Sequence, residues 1–198
     1  MTIGAHILAG FTSGFRNRRE LARILRETDA GNNILALDPA KLKGNGITAL
    51  ALDFDGVLAP HGNTAPIPEA DEWLARCAAV FGEDHLFILS NKPTAARKSW
   101  FANRFPQMRF ISGVRKKPYP DGLEKIEQLS GIALSGILMV DDRLLTGCLG
   151  AINAGARPCY IRRPYISYRQ HPFTELFFML LRAGERLFVG LISTFIAR

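Results

Sequence analysis

The chain has 198 residues, 47% of them hydrophobic and 22% charged, which suits one domain with a full core and excludes a disordered chain, a collagen-like repeat or a disulfide mini-scaffold. The formal charge is +7, from 25 Lys+Arg against 18 Asp+Glu, a balance that points to a polyanionic partner. It is uneven: residues 1–46 carry 7 basic and 4 acidic side chains, residues 47–150 carry 11 and 12, and residues 151–198 carry 7 and 2, so the excess lies wholly in the two ends.

The first 46 residues read as a basic amphipathic arm. Ile7, Leu8, Phe11 and Phe15 precede Arg16, Arg18, Arg19, Arg23 and Arg26, which alternate with Leu21, Ile24 and Leu25. No basic residue precedes the mildly apolar opening, so it does not read as a signal peptide.

Strand and helix signals then alternate. Ile47–Phe54 is a short apolar run of the kind that forms a buried parallel strand, followed by a Gly/Pro-rich stretch to Pro68. Helical spacing covers Ala70–Phe81, and His85–Leu89 is a second strand ending at Ser90-Asn91. Thr94–Phe105 reads as a helix and Met108–Ile111 as a strand. Asp121–Leu129 is a helix closed by Gly131, and Ile137–Val140 a strand that delivers Asp141-Asp142. Leu144–Ala154 is a helix ending at Gly155, and Pro158–Ile161 a last strand. This order predicts an α/β fold, a Rossmann-like three-layer sandwich with a central parallel sheet.

Beyond it, a helical stripe runs through Phe173, Leu176, Phe177, Leu180, Leu181, Leu187, Phe188, Leu191, Ile192 and Phe195, with Glu175, Arg182, Glu185 and Arg186 largely opposite. Phe178, Met179, Val189 and Ile196 widen its apolar side. These charges interrupt any membrane span. Two readings stay open for the ends: both helices pack on the sheet or at a dimer contact, or they lie on an anionic bilayer. No nucleic-acid module is recognisable, and nucleic acid is set aside. The expected division is a basic arm over 1–46, a core over 47–164 and an amphipathic helix over 165–198. The three cysteines (Cys77, Cys148, Cys159) fit no metal or disulfide pattern and suggest a reducing compartment.

In open α/β sheets, ligands gather at the carboxyl ends of the strands. Asp53 and Asp55, Ser90 and Asn91, and Asp141 and Asp142 stand at those ends, with Lys116 and Lys117 in a loop beyond the third strand. Any one aspartate pair reads equally well as helix caps; four polar strand ends and loops on one rim read as an active site. Clustered carboxylates call for a cation, and hard oxygen ligands favour Mg²⁺, which also takes phosphate oxygens. A nearby lysine and hydroxyl complete a set suited to phosphoryl transfer.

The run DFDGVL at Asp53–Leu58 resembles the first signature of the haloacid dehalogenase (HAD) superfamily, ILSN its second, KKPYP at Lys116–Pro120 its third and MVDD at Met139–Asp142 its fourth, in order and spacing across Ile47–Arg163. The resemblance implies Asp53 as nucleophile and Asp55 as general acid and base. Ser90 and Asn91 would hold the phosphoryl group, and Lys117, or else its neighbour Lys116, would neutralise charge. Mg²⁺ would be held by Asp53, the Asp55 carbonyl and Asp142, with Asp141 in support. Val57 stands where many phosphatases of the family carry Thr. The 37 positions from Asp53 to Ser90 and the 27 from Ser90 to Lys117 leave no room for a cap domain, so an open site is expected.

More finely, the chain resembles the cap-less phosphatidylglycerophosphate phosphatase branch, subfamily IIIA. LDPAKLKGNGITALALDFDGVLAP is similar to that branch's lead-in, and VDDRLLTGCLGAINAGA to its GDQLLTD…GNRAG stretch. Asp142 matches the metal-binding Asp and Thr146 the family Thr, while Gly147 replaces a second family Asp and Asp141 replaces a Gly. The resemblance implies a Mg²⁺-dependent phosphatase of phosphatidylglycerophosphate, cytoplasmic and peripheral on the inner face of a membrane. A cap-less phosphatase of a soluble metabolite (a sugar or histidinol phosphate) and a weakly catalytic adaptor are the alternatives.

Overall fold

Leu50 and Leu52 face one side of a sheet while Ala49 and Ala51 face the other, the two-residue alternation of a strand covered on both faces. The computed structural model describes residues 3–91 and 93–194, apart from the side chains of 3–9 and 194. Phe195, Ile196 and the side chains of Ile7 and Leu8 lie outside the described residues. Five strands, β1 (Ala49–Leu52), β2 (Leu86–Leu89), β3 (Arg109–Ile111), β4 (Ile137–Asp141) and β5 (Arg157–Tyr160), form a parallel sheet of order β3-β2-β1-β4-β5. Leu50 pairs with Leu86 on one side and Leu138 on the other.

The helices are α1 (Ile3–Arg16), α2 (Arg18–Glu27), α3 (Pro39–Gly44), α4 (Pro68–Phe81), α5 (Ala95–Arg104), α6 (Asp121–Ser130), α7 (Leu149–Ala154) and α8 (Pro172–Thr194). Trp73, Leu74 and Cys77 of α4 and Phe101 of α5 bury against Leu50, Leu52, Ile88 and Val140. Leu123 and Ile126 of α6 and Ala151 of α7 cover Ala49, Ala51, Phe87 and Met139. A third cluster joins Leu21 and Ile24 of α2, Leu144, Leu145 and Val189 of α8. Local chemistry sets the ends. Asp38 accepts from the amides of Ala40 (2.8 Å) and Lys41 (3.2 Å), with Pro39 in the first turn of α3. Gly131 and Gly155, both left-handed, close α6 and α7. The expected three-layer α/β sandwich is present, and between Asp53 and Ser90 the chain holds one loop, α4 and a short 3₁₀ turn before β2.

Two expectations need correction. The helix expected over Leu144–Ala154 begins as a π-helical turn, Leu144–Cys148, in which the Leu149 amide reaches back to the Leu144 carbonyl. The larger correction concerns α8, which is amphipathic inside out. Its charged residues Glu175, Arg182 and Glu185 are buried at 0%, 2% and 7% exposure, while Phe173 and Leu180 stand 87% and 64% exposed. Leu176, Phe177, Leu187 and Leu191 are exposed as well, and among the described apolar residues of the stripe only Val189 and Ile192 are buried. The apolar stripe therefore does not pack on the sheet. The inner face is held by charge: Glu175 to His61, Arg182 to Asp142, Glu185 to Arg143, and Arg186 to the Tyr160 hydroxyl (2.7 Å). Phe11 of α1 packs edge-on against Phe188 of α8 with ring centroids 4.9 Å apart. Arg182 and Arg186 are spent inside the protein and do not belong to a polyanion-facing surface. Among the described residues no helix is long and apolar enough to cross a membrane.

Candidate active site

β1, β2 and β4 end on one rim, and each delivers polar residues there. Asp53 follows β1 directly, its amide donating to the Val140 carbonyl at 2.9 Å. Gly56 then turns the chain away at φ +83°, a left-handed value. A Cβ at that position would lie 2.3 Å from Asp142 Oδ2, so the close approach of a carboxylate also demands glycine. Asp53, Asp55, Ser90, Asn91, Lys116, Lys117 and Asp142 line one cleft of about 200 Å³, with the fully buried Asp141 beneath.

Lys117 Nζ lies 2.9 Å from Asp53 Oδ1 and 2.5 Å from Asp141 Oδ2, and the Lys117 amide donates to Asn91 Oδ1 at 3.3 Å. Burial by itself would lower the ammonium pKa, but the two flanking carboxylates outweigh it and hold Lys117 above its ordinary range. Lys116 is exposed at the rim.

Asp53, Asp141 and Asp142 bring carboxylate oxygens within 4.8 Å of one another. Burial pushes Asp53 up to about 6 and Asp142 up to about 7; Lys117 and Arg182 oppose the shift, and the neighbouring carboxylates add to it. Three crowded carboxylates with two cations keep an excess of negative charge, which resists ionisation until a further cation arrives. The all-oxygen donor set suits a hard divalent ion such as Mg²⁺, with Asp53 and Asp142 as the side chains that would hold it.

Asp141 and Gly147 are linked sterically. A Cβ on Gly147 would lie 2.0 Å from Asp141 Oδ2 and 2.2 Å from its Cγ. The two positions address the same space, so a carboxylate supplied from 141 leaves no room for a side chain at 147. Gly147→Ala should therefore drive Asp141 off Lys117 and destabilise the fold by about 1–3 kcal/mol, the usual cost of overpacking. A thermal melt superimposable on that of the parent would show that Asp141 has room to move.

Several cleft residues were not legible as functional. Arg97 grips Asp55 with both nitrogens, Nη1 to Oδ2 at 2.9 Å and Nη2 to Oδ1 at 2.6 Å. Its guanidinium lies 4.0 Å over the Phe54 ring, and Nε donates to the Asn63 carbonyl at 2.8 Å, so the carboxylate's orientation is fixed. His61 stacks on Phe178 with centroids 3.9 Å apart. Its Nδ1 lies 3.1 Å from Glu175 Oε2 and its amide 3.0 Å from Oε1. Burial leads in lowering the His61 pKa. Arg143 and Arg182 complete the lining, together with Thr146, which the resemblance already matches to the family Thr. The sequence signal for the α8 residues is the set of four charges, Glu175, Arg182, Glu185 and Arg186, opposite the apolar stripe. The open rim expected from the spacing is thus partly walled, by α8 rather than by an inserted cap. Beside the cleft an apolar groove of about 450 Å³ opens between α1 and α8, walled by Phe11, Leu145, Phe177, Leu180 and Leu181 and sharing Lys116, Lys117 and Arg143 with it.

A family model described as haloacid dehalogenase-like hydrolase matches residues 6–155. No curated protein matches the chain. Among solved structures, the chain is similar to an uncharacterized protein from Corynebacterium glutamicum at 20% identity and a TM-score of 0.45, over 70% of this chain and 96% of that one.

Proposed function

Since the chain belongs to the haloacid dehalogenase-like hydrolases, we propose that it is a phosphomonoester hydrolase working through a covalent intermediate on Asp53, and that its substrate is phosphatidylglycerophosphate at the inner face of a membrane. In the first step an Asp53 oxygen bonds to phosphorus as the ester P–O bond breaks, and the leaving oxygen takes a proton from Asp55. In the second, water attacks phosphorus, Asp55 takes a proton from that water, and the bond to Asp53 breaks. Arg97 engages both oxygens of Asp55, so Asp55 gives up one of these bonds whenever that oxygen carries the transferred proton. Lys117 screens the charge of Asp53 from the incoming phosphoryl group, while Ser90 and Asn91 hold phosphoryl oxygens. Mg²⁺, when bound by Asp53 and Asp142, supplies further neutralisation of phosphoryl charge. Asp141 keeps Lys117 in place.

The observation that carries the catalytic reading is the seating of Asp53 on the cleft floor, 2.9 Å from a buried lysine and beside two further carboxylates. What supports a lipid substrate is the outward apolar face of α8 and the apolar groove that opens onto the same cleft. Exposed Arg16, Arg19 and Arg169 would face anionic headgroups, each worth about 1 kcal/mol near such a surface.

Phosphate release measured on phosphatidylglycerophosphate in mixed micelles, against sugar and histidinol phosphates in solution, separates the readings. Release should be lost on adding EDTA, restored by Mg²⁺, and at least tenfold more efficient in kcat/KM on the lipid. Equal or better turnover of a soluble ester would overturn the lipid substrate, and metal-independent release would overturn the role given to Mg²⁺.

A further inference from the structure

Arg182 differs from the other cleft cations in origin and in geometry. It stands on α8, which begins at Pro172, beyond the residues matched by the family model. Its side chain is 1% exposed, and Nε (2.5 Å) and Nη2 converge on one oxygen, Asp142 Oδ2. Nη1 is buried with no hydrogen-bond partner among the described residues. Arg97 provides the contrast, with two nitrogens on two oxygens of Asp55 and Nε on a carbonyl. A guanidinium carries five donors in a fixed fork, and leaving part of it unsatisfied in the interior is costly. What retains Arg182 is the negative charge that Asp142 shares with Asp53 and Asp141.

That same charge is the one assigned above to a divalent cation. A Cβ placed on Gly56 would lie 2.3 Å from Asp142 Oδ2 and 2.7 Å from Arg182 Nη2, so guanidinium and carboxylate meet against the chain just after Asp55. We propose that Arg182 is the resident counter-ion of Asp142, and that docked Arg182 and a divalent cation compete for this carboxylate. A second cation brought to Asp142 repels the guanidinium across a buried, low-dielectric gap. The arginine loses less by leaving than a fully satisfied one would. Glu175 on His61 and Glu185 on Arg143 pin the same inner face of α8, so Arg182 does not leave without loosening the helix. Linkage makes the coupling reciprocal: whatever loosens α8 tightens metal binding, and metal binding loosens α8. The inference rests on the metal assignment of the proposed function.

Mn²⁺ binding to the full chain, read by electron paramagnetic resonance at fixed ionic strength and with Mg²⁺ as competitor, tests both. Arg182→Met, folded by circular dichroism, should bind Mn²⁺ at least tenfold more tightly than the parent, with Arg182→Lys in between. Equal or weaker binding by folded Arg182→Met overturns the competition and leaves the metal assignment standing. Binding by none of the three proteins overturns both. A second measurement needs no variant: hydrogen exchange of the α8 amides in the parent should speed up on saturation with Mg²⁺. Slower or unchanged exchange overturns the coupling.

Discussion

Asp53→Asn is expected to abolish Mg²⁺-dependent phosphate release, lowering kcat by about a thousandfold or more, as removal of a covalent nucleophile commonly does. The substitution keeps the shape of the side chain, so β1 and the Asp53 amide bond to Val140 have no reason to change. What is lost is the attacking oxygen and one of the two carboxylates that hold Lys117. Stability should not fall in proportion, because burial already disfavours the Asp53 carboxylate, pushing it up to about 6. A variant that melts like the parent yet releases no phosphate separates chemistry from folding. Retained turnover in that variant would remove Asp53 from its role.

The second large effect concerns the outward face of α8. Phe173 and Leu187 are 87% and 65% exposed, and neither lines the cleft or the apolar groove. Burying each in a bilayer interface is worth about 1.5–3 kcal/mol. Phe173→Asp combined with Leu187→Asp should therefore weaken partition onto anionic vesicles by about 10²–10⁴-fold. Hydrolysis of a soluble phosphomonoester should be unchanged. Vesicle sedimentation at low salt reads the first quantity and phosphate release the second. Undiminished sedimentation of the double variant would exclude this face as the membrane contact. Deleting α8 is a poor substitute for these point changes, because it also removes Arg182 from the cleft and strips His61 and Arg143 of their partners Glu175 and Glu185.

The core of the molecule was legible because its three central strands, β1, β2 and β4, are buried throughout and so read as apolar runs. Each run ends where a polar residue meets the rim: Leu52 before Asp53, Leu89 before Ser90, and Val140 before Asp141 and Asp142. Spacing likewise exposed the lack of an inserted cap. The orientation of α8 was not legible, because an amphipathic pattern specifies two faces and not which one turns inward. Here Asp142, His61 and Arg143 decide it, and their distance in sequence from residues 175–185 hides the pairing. Arg97 was hidden for a related reason, since a lone arginine in the first turn of a helix reads as a solvated charge. The π-helical turn before α7 was not legible either; Gly147 lies within it against Asp141, a contact that periodicity does not encode.

That contact also constrains how the site can change over time. A carboxylate carried at 141 and one carried at 147 are alternative vehicles for a single charge beside Lys117, six positions apart in the chain. An acid at both collides, and an acid at neither leaves a buried ammonium with only Asp53 as its counter-charge. Each single exchange passes through one of these poor states, so the effects of the two substitutions are strongly non-additive. Moving the acid from 141 to 147 is therefore expected to need both changes together, with Gly147→Asp alone colliding with Asp141 and Asp141→Gly alone stripping Lys117 of one counter-charge.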